Sequence, residues 1–181
     1  IQTGAIALRL RSTDWFAWAA AGGSNTVLLT AETGVAEILI TAENAFVLTD
    51  EIEAQRLQDE ELPPNFQMHI YPWTDVSQRE DFVTEITGSG NVMSDRPNAK
   101  EKAIVPSLQS RKQIMMSSEL ERYRRVGSLA SEAMTEVLSA AKPEWTEYQL
   151  AGSGAEALWA RGLHPVLTLA AGERRLPLYR H

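Results

Sequence analysis

Side chains able to ligate, attack or move protons are sparse in this chain, which holds three histidines and no cysteine. Without thiols there can be no zinc–thiolate site, iron–sulfur cluster, disulfide or thiol nucleophile. His181 closes the run "GERRLPLYRH". An imidazole there can hydrogen-bond a substrate carbonyl or carboxylate and gain a proton near neutral pH, which makes His181 the one substrate-binding candidate. The plainer reading, a polar residue at the end of the given sequence, stays open beside it. His69 alternates with Met68 and Ile70 in a strand-like run, so it faces away from both and reads as structural or surface. His164 precedes Pro165 and has no companion at metal-ligand spacing. No catalytic residue and no metal ligand is assigned.

Four other segments could carry chemistry, and each has a plainer reading. "TDEIEAQRLQDEE" is rich in carboxylates but lacks the closely spaced oxygens and central glycine of a calcium loop, so it reads as a solvated helix face. "GERRLPLYR" could clamp an acidic group with its arginine forks, although such arginines usually meet solvent or nearby carboxylates. "LAGSGAEA" holds G-x-G without a third glycine and lies inside a helical pattern, which does not suit a phosphate loop. Ser117 and Ser118 have no base at an identifiable spacing, so a hydrolase triad has no support. The five tryptophans read mostly as packing residues.

Composition narrows the classes further. With 181 residues, 44% of them hydrophobic and 23% charged, the chain can build one generous domain or one domain plus part of another. A net charge of −7 argues against wrapping a phosphate backbone, so no nucleic-acid partner is expected. No stretch approaches the ~18 apolar residues of a membrane span, and no membrane partner is expected. The lack of cysteine fits a cytoplasmic protein. "IQTGAIALRLRS" reads as a strand already under way, with nothing like a signal peptide, and residues are expected to be missing before it.

The elements that would position these residues follow from pattern. "AIALRL" suits a strand, and "STDWFAWAAAGG" a short helix stopped by Gly22 and Gly23. "TVLLT", "AEILIT" and "AFVLTD", parted by short turns, read as an antiparallel meander. An exposed helix is expected between Asp50 and Pro63, then a strand in "FQMHIYPW" and a covering helix in "TDVSQREDFVTEITG". "NVMSDRPNAKEKAIVPSLQS" mixes a short strand signal with polar residues and two prolines, and is the expected domain boundary. Beyond it Ser118 and Glu121 have capping-box spacing ahead of a long apolar-periodic helix that Pro143 ends. Thr146 and Gln149 repeat that spacing ahead of a second helix stopped by Gly162. "VLTLAAG" then reads as a strand whose partners are not visible in the sequence. These helices are expected to expose a large apolar patch, since one trailing strand cannot cover them.

The order of these parts resembles the creatinase, prolidase and Xaa-Pro aminopeptidase family of pita-bread fold. Glu121, Arg125 and Ala130 stand roughly where its opening catalytic-domain helix carries "E-x-x-x-x-R-x-x-x-x-x-A". "KPEWTEYQLA" is similar to its "G-x-T-E-x-x-L" turn, with Thr146, Glu147 and Leu150 in matching places and Glu144 and Trp145 in place of the glycine step. "STDWFAWAAAGG" is similar to its "N-x-x-Y-L-T-G" segment, with Trp18 near the tyrosine.

The resemblance implies an α/β fold, in which residues 1–105 form a mixed-sheet N-terminal domain and 106–181 begin a truncated pita-bread catalytic domain. It implies a peptidase acting next to proline, with a proline-containing peptide as substrate and a homodimer as the assembly. In the complete protein two divalent ions (Mn, Co or Zn) would be held by two aspartates, a histidine and two glutamates on later strands. No cofactor is expected within this chain, which alone is expected to be inactive. His181 would match the family's early histidine near substrate. The alternatives are a non-catalytic relative used for binding or assembly, and a creatinase-like amidine hydrolase.

Overall fold

The structure, a computed structural model, describes residues 4–179. Its elements fall into two compact units divided between Gln113 and Ile114. The sequence reading puts the change of domain at residues 105 and 106; here the helix α4 (Pro106–Lys112), opened by a proline at its first turn, goes with the first unit.

The first unit is built on strands β1 (Ala5–Ser12), β2 (Thr33–Thr41), β3 (Ala45–Asp50), β4 (Gln67–Tyr71), β5 (Asn91–Ser94) and β6 (Lys102–Ala103). They form one mixed sheet in the order β4-β3-β2-β1-β5-β6. β2 runs antiparallel to β1 and β3, while the β3–β4, β1–β5 and β5–β6 pairs are parallel. The carboxyl ends of β1, β3, β4 and β5 therefore lie at one end of the sheet, beside the start of β2.

Side chains alternate across each strand, so both faces can be buried only if helices cover both. Leu10, Ile38 and Val47 point to one face, under Trp15 and Phe16 of α1 (Thr13–Ala19) and Leu57. Ala7, Leu39, Phe46 and Leu48 point to the other, under Phe82 and Val83 of α3 (Ser77–Thr87). Phe46 and Phe82 meet edge to face at 5.2 Å, which locks α3 across the sheet. The mixed α/β class read from the sequence is the class observed.

The structure corrects several element assignments. "TVLLT" is an exposed loop and not the first strand of a meander. Its apolar residues have no strand beside them, because β2 already has β1 and β3 as neighbours. The helix expected after Asp50 is a single turn, α2 (Ala54–Arg56), running into a π-helical turn over Leu57–Glu61. The segment read as a boundary supplies β5 and β6 to the sheet.

The second unit holds α5 (Ser117–Ala140) and α6 (Glu147–Trp159). The box at the start of α6 is as read: the Gln149 amide donates to Thr146 Oγ1 at 3.2 Å and the Thr146 amide to Gln149 Oε1 at 2.8 Å. At α5 the cap shifts by two residues, with Glu119, not Glu121, accepting from the Met116 amide at 2.7 Å. Gly162 ends the second helix in the left-handed region, φ 72°, as its position required. "VLTLAAG" forms no strand among the described residues, consistent with the lack of any partner strand in its unit.

Gly23 marks the tightest approach in the first unit. A Cβ there would lie 1.9 Å from the Glu61 carbonyl oxygen. Gly23→Ala is expected to cost about 1–3 kcal/mol by forcing apart the loop and the π-helical turn. Urea unfolding checks this, and an unchanged midpoint would refute the contact.

Candidate functional site

The strongest concentration of polar chemistry lies on the α3 side of the sheet, where β1 and β2 put charges among apolar neighbours. Arg9 and Glu37 occupy inward positions of "ALRLRS" and "VAEILI", and both are buried. The Arg9 guanidinium donates from Nε to Glu37 at 2.6 Å, and from its two terminal nitrogens to both oxygens of Glu80 at 2.8 and 2.5 Å. It also reaches Glu101 at 3.2 Å. Arg11 forks onto Glu101 with two contacts of 2.7 Å, and Arg79 pairs with Glu37 at 3.1 Å. Three arginines thus balance three glutamates, and the cluster joins β1, β2, α3 and the turn before β6.

The protonation states follow from these contacts. The hydrogen bond from Arg9, with the charges of Arg9 and Arg79, overcomes burial and brings Glu80 down from 4.5 to about 2. Burial would raise Glu101, but the hydrogen bonds from Arg11 and the Asn98 amide outweigh it and the net shift is downward. Burial alone would weaken the proton affinity of Arg9, and its bonds to Glu80 and Glu37 more than reverse that. Arg9, Glu80 and Glu101 are thus held in their charged forms, so none of these three is poised to give or take a proton near neutral pH.

Two grooves adjoin this cluster. One, of about 320 Å³, runs beside Arg9, Glu80, Thr87, Gly90 and Lys100. The other, of about 400 Å³, opens at the carboxyl end of the sheet between Ser12, Asp14, Trp15, Glu32, Asp95 and Arg96. There Asp95 accepts from the amides of Arg11 and Ser12 at 2.8 and 2.7 Å and from the Ser12 hydroxyl. Arg96 pairs with Glu32 at 2.6 Å, and Lys112 pairs with Asp14 and lies over the Trp15 ring. The hydrogen-bond partner of the Ser12 hydroxyl is the Asp95 carboxylate.

The residues singled out from the sequence are not brought together. His181 lies outside the described residues. His69 stacks on Phe82 with ring centroids 3.8 Å apart, on the side away from Met68, which is the packing role expected of it. His164 stands against Trp159 at 4.4 Å. Arg175 pairs with Glu147 at 3.5 Å and lies over Tyr179, so nearby groups of the same unit occupy it. In the acidic stretch Glu53 and Glu61 share Arg56. Gly152 and Gly154 lie within α6, and Ser117 and Ser118 are exposed at the start of α5. Of the tryptophans, Trp15 is buried, whereas Trp73 and Trp159 are exposed. Among the described residues no three His, Asp or Glu side chains are arranged to hold a metal ion, and no helix is long and apolar enough to cross a membrane.

The apolar face expected on the second unit is present. α5 and α6 bury only Ala133, Val137 and Ala157 against each other, with Leu150 and Leu158 partly covered. Tyr123, Val126, Met134 and Leu138 of α5, with Tyr148 and Trp159 of α6, stay exposed.

No family model matches the sequence, and no curated protein matches it. Solved structures do match. The prolidase of Pyrococcus horikoshii superposes with a TM-score of 0.67 at 16% identity, over 88% of this chain and 46% of that one. The Xaa-Pro dipeptidase of Bacillus anthracis gives 0.63 at 13%, over 88% and 46%. The fold is that of the pita-bread peptidases. The chain spans about half the length of these structures. The N-terminal domain of FACT complex subunit SPT16 from chickpea, Cicer arietinum, also matches, with a TM-score of 0.56 at 12% identity, over 87% and 45%. Fold alone is established at such identities. The six-stranded sheet has the fold of the prolidase N-terminal domain, and Arg9 with its glutamates holds it together.

Two outcomes test that holding role. Arg9→Ala is expected to cost roughly 3–5 kcal/mol, because Glu37 and Glu80 would lose their shortest ion pairs and Arg11 and Arg79 would be left to balance three glutamates; urea unfolding measures it. Glu80, depressed when folded, stabilises the fold above its unfolded value of 4.5, and that contribution is lost as pH falls from there towards about 2. Melting temperature followed across this window should drop less steeply for Glu80→Gln than for the parent, and parallel curves would refute the pairing.

Proposed function

We propose that this chain is the N-terminal portion of an Xaa-Pro aminopeptidase or prolidase-type metallopeptidase, contributing an accessory and dimerisation domain and one wall of the substrate cleft. The observation that carries this is the match to Xaa-Pro peptidase structures over 88% of the chain. In this reading the protein is a cytoplasmic homodimer that takes proline-containing peptides. The chemistry would be attack on the bond before proline by a water activated at two divalent ions, Mn, Co or Zn. The described residues do not form a cradle for such ions, so no step of that chemistry is assigned to them. Their part is to build a rigid wall: a sheet covered on both faces and cross-tied by Arg9, with grooves at its rim suited to peptide polar groups.

A second reading has its own observation. The match to a subunit of the FACT complex, which is not named as a peptidase, supports a non-catalytic binding or assembly protein on the same scaffold.

One assay separates the two. The whole protein of which this chain is the N-terminal portion is incubated with Mn²⁺, Co²⁺ or Zn²⁺ and with Ala-Pro and Ala-Pro-Ala peptides. Cleavage that EDTA abolishes and added metal restores is the expected result, with residues 1–181 alone inactive. Stoichiometric folded protein that never cleaves either peptide would overturn the peptidase reading in favour of the assembly one.

A further inference from the structure

The carboxyl end of the sheet in the first unit carries a surface that the proposed peptidase chemistry does not use. Of the eight large apolar side chains exposed among its described residues, six stand at this end: Val27 (62% exposed), Leu28 (65%), Leu29 (42%), Ile52 (65%), Trp73 (59%) and Val76 (48%). The topology puts them together. Val27–Leu29 tip the loop entering β2, Ile52 follows β3, and Trp73 and Val76 follow β4. Together they expose on the order of 600 Å² at one end of the sheet, where scattered single apolar residues would be ordinary.

Negative charge is fixed beside these side chains. Asp50 accepts from the Ile52 amide at 3.0 Å, Glu51 from the Trp73 amide at 2.7 Å, and Asp75, next to Val76, from Ser77 at 2.5 Å and Gln78 at 3.0 Å. All these donors are neutral. Among the described residues no cation lies within salt-bridge distance of Asp50, Glu51 or Asp75. The imbalance extends over the unit: residues 1–113 hold 9 Lys and Arg against 16 Asp and Glu, whereas residues 114–181 hold 8 of each. The whole net charge of −7 therefore belongs to the first unit.

We infer that the carboxyl end of this sheet is a docking surface for a polypeptide segment that presents apolar side chains interspersed with lysine or arginine. Apolar burial supplies the attraction, and the fixed carboxylates select the sign of the partner's charge. The same end of a second copy would set Asp50, Glu51 and Asp75 against their own counterparts, on units that each carry −7 overall, and an anionic lipid surface would meet like repulsion. Apolar area of this order matches one face of an amphipathic segment, whose anchors recur at three- and four-residue steps. The inference does not depend on the peptidase reading, since it uses only the first unit.

The test uses the whole chain and two fluorescein-labelled 14-residue helical peptides, one of Leu and Lys and one of Leu and Glu, followed by fluorescence anisotropy. The Lys peptide is expected to bind at least tenfold more tightly than the Glu peptide. That preference should shrink in Glu51→Gln/Asp75→Asn, and binding should fall at least tenfold in Ile52→Ser/Trp73→Ser. Val27→Ser/Leu28→Ser provides an independent pair, and exposed positions of this kind leave the fold intact. Equal binding of both peptides, no binding of either, or undiminished binding by both Ser variants would overturn the inference. So would a monomer–dimer equilibrium in sedimentation that the Ser variants abolish, because a second copy would then be the occupant.

Discussion

Everything in the first unit hangs on one guanidinium buried between a sheet and a helix. Arg9 is 1% exposed and sits on a central strand, where an isolated charge would be prohibitively expensive. It is tolerated because three carboxylates from three different parts of the chain converge on it. Each carboxylate is in turn tolerated because of the arginines. The cluster therefore behaves as one object: Glu37 sets β2 against β1, Glu80 sets the register of α3, and Glu101 fixes the turn that places β6. An apolar residue at position 9 could fill the space, but it would leave three glutamates to two arginines. The polar solution binds the elements in one arrangement, whereas an apolar contact is indifferent to direction.

Much of this was legible in the sequence, for reasons that can be stated residue by residue. "AIALRL", "AEILI" and "AFVL" alternate or run apolar because both sheet faces are covered, and Val83 with Ile86 marks the covering side of α3. The Thr146 and Gln149 box and Gly162 placed α6 correctly, since caps act within one turn and need no distant partner. "TVLLT" misled because its composition is that of a strand while its location is a loop tip. Composition cannot say whether a neighbouring edge is free. β5 and β6 showed only as a short strand signal inside the expected boundary, for the opposite reason. They are four and two residues long, and their pairing reaches back across the chain to β1.

The ion cluster was missed although its signal was present. Arg9 and Glu37 are charges at positions where the strand pattern requires burial, and such misplaced charges must be paired inside the protein. Attention to carboxylate-rich and histidine-bearing runs, where chemistry is usually sought, passed over single charges in apolar strands. The fold-level resemblance was legible through the order of parts more than through any motif. At 13–16% identity to the peptidases, side chains have diverged while the topology has held.

The two units differ in how complete their cores are. In the first, a sheet with both faces covered surrounds its one charged cluster with apolar layers. In the second, a 24-residue helix and a 13-residue helix share only Ala133, Val137 and Ala157 as buried side chains. Small side chains permit close approach but bury little area, and at roughly 25 cal/mol per Å² little area means little stability. Capping contributes on the order of 1 kcal/mol at each helix start, which cannot offset the ordering of so many residues. Tyr123 and Val126 lie three residues apart on α5 and Met134 and Leu138 four apart, and all four stay exposed, which is costly in water. The second unit thus leaves apolar side chains uncovered, whereas the first covers both faces of its sheet.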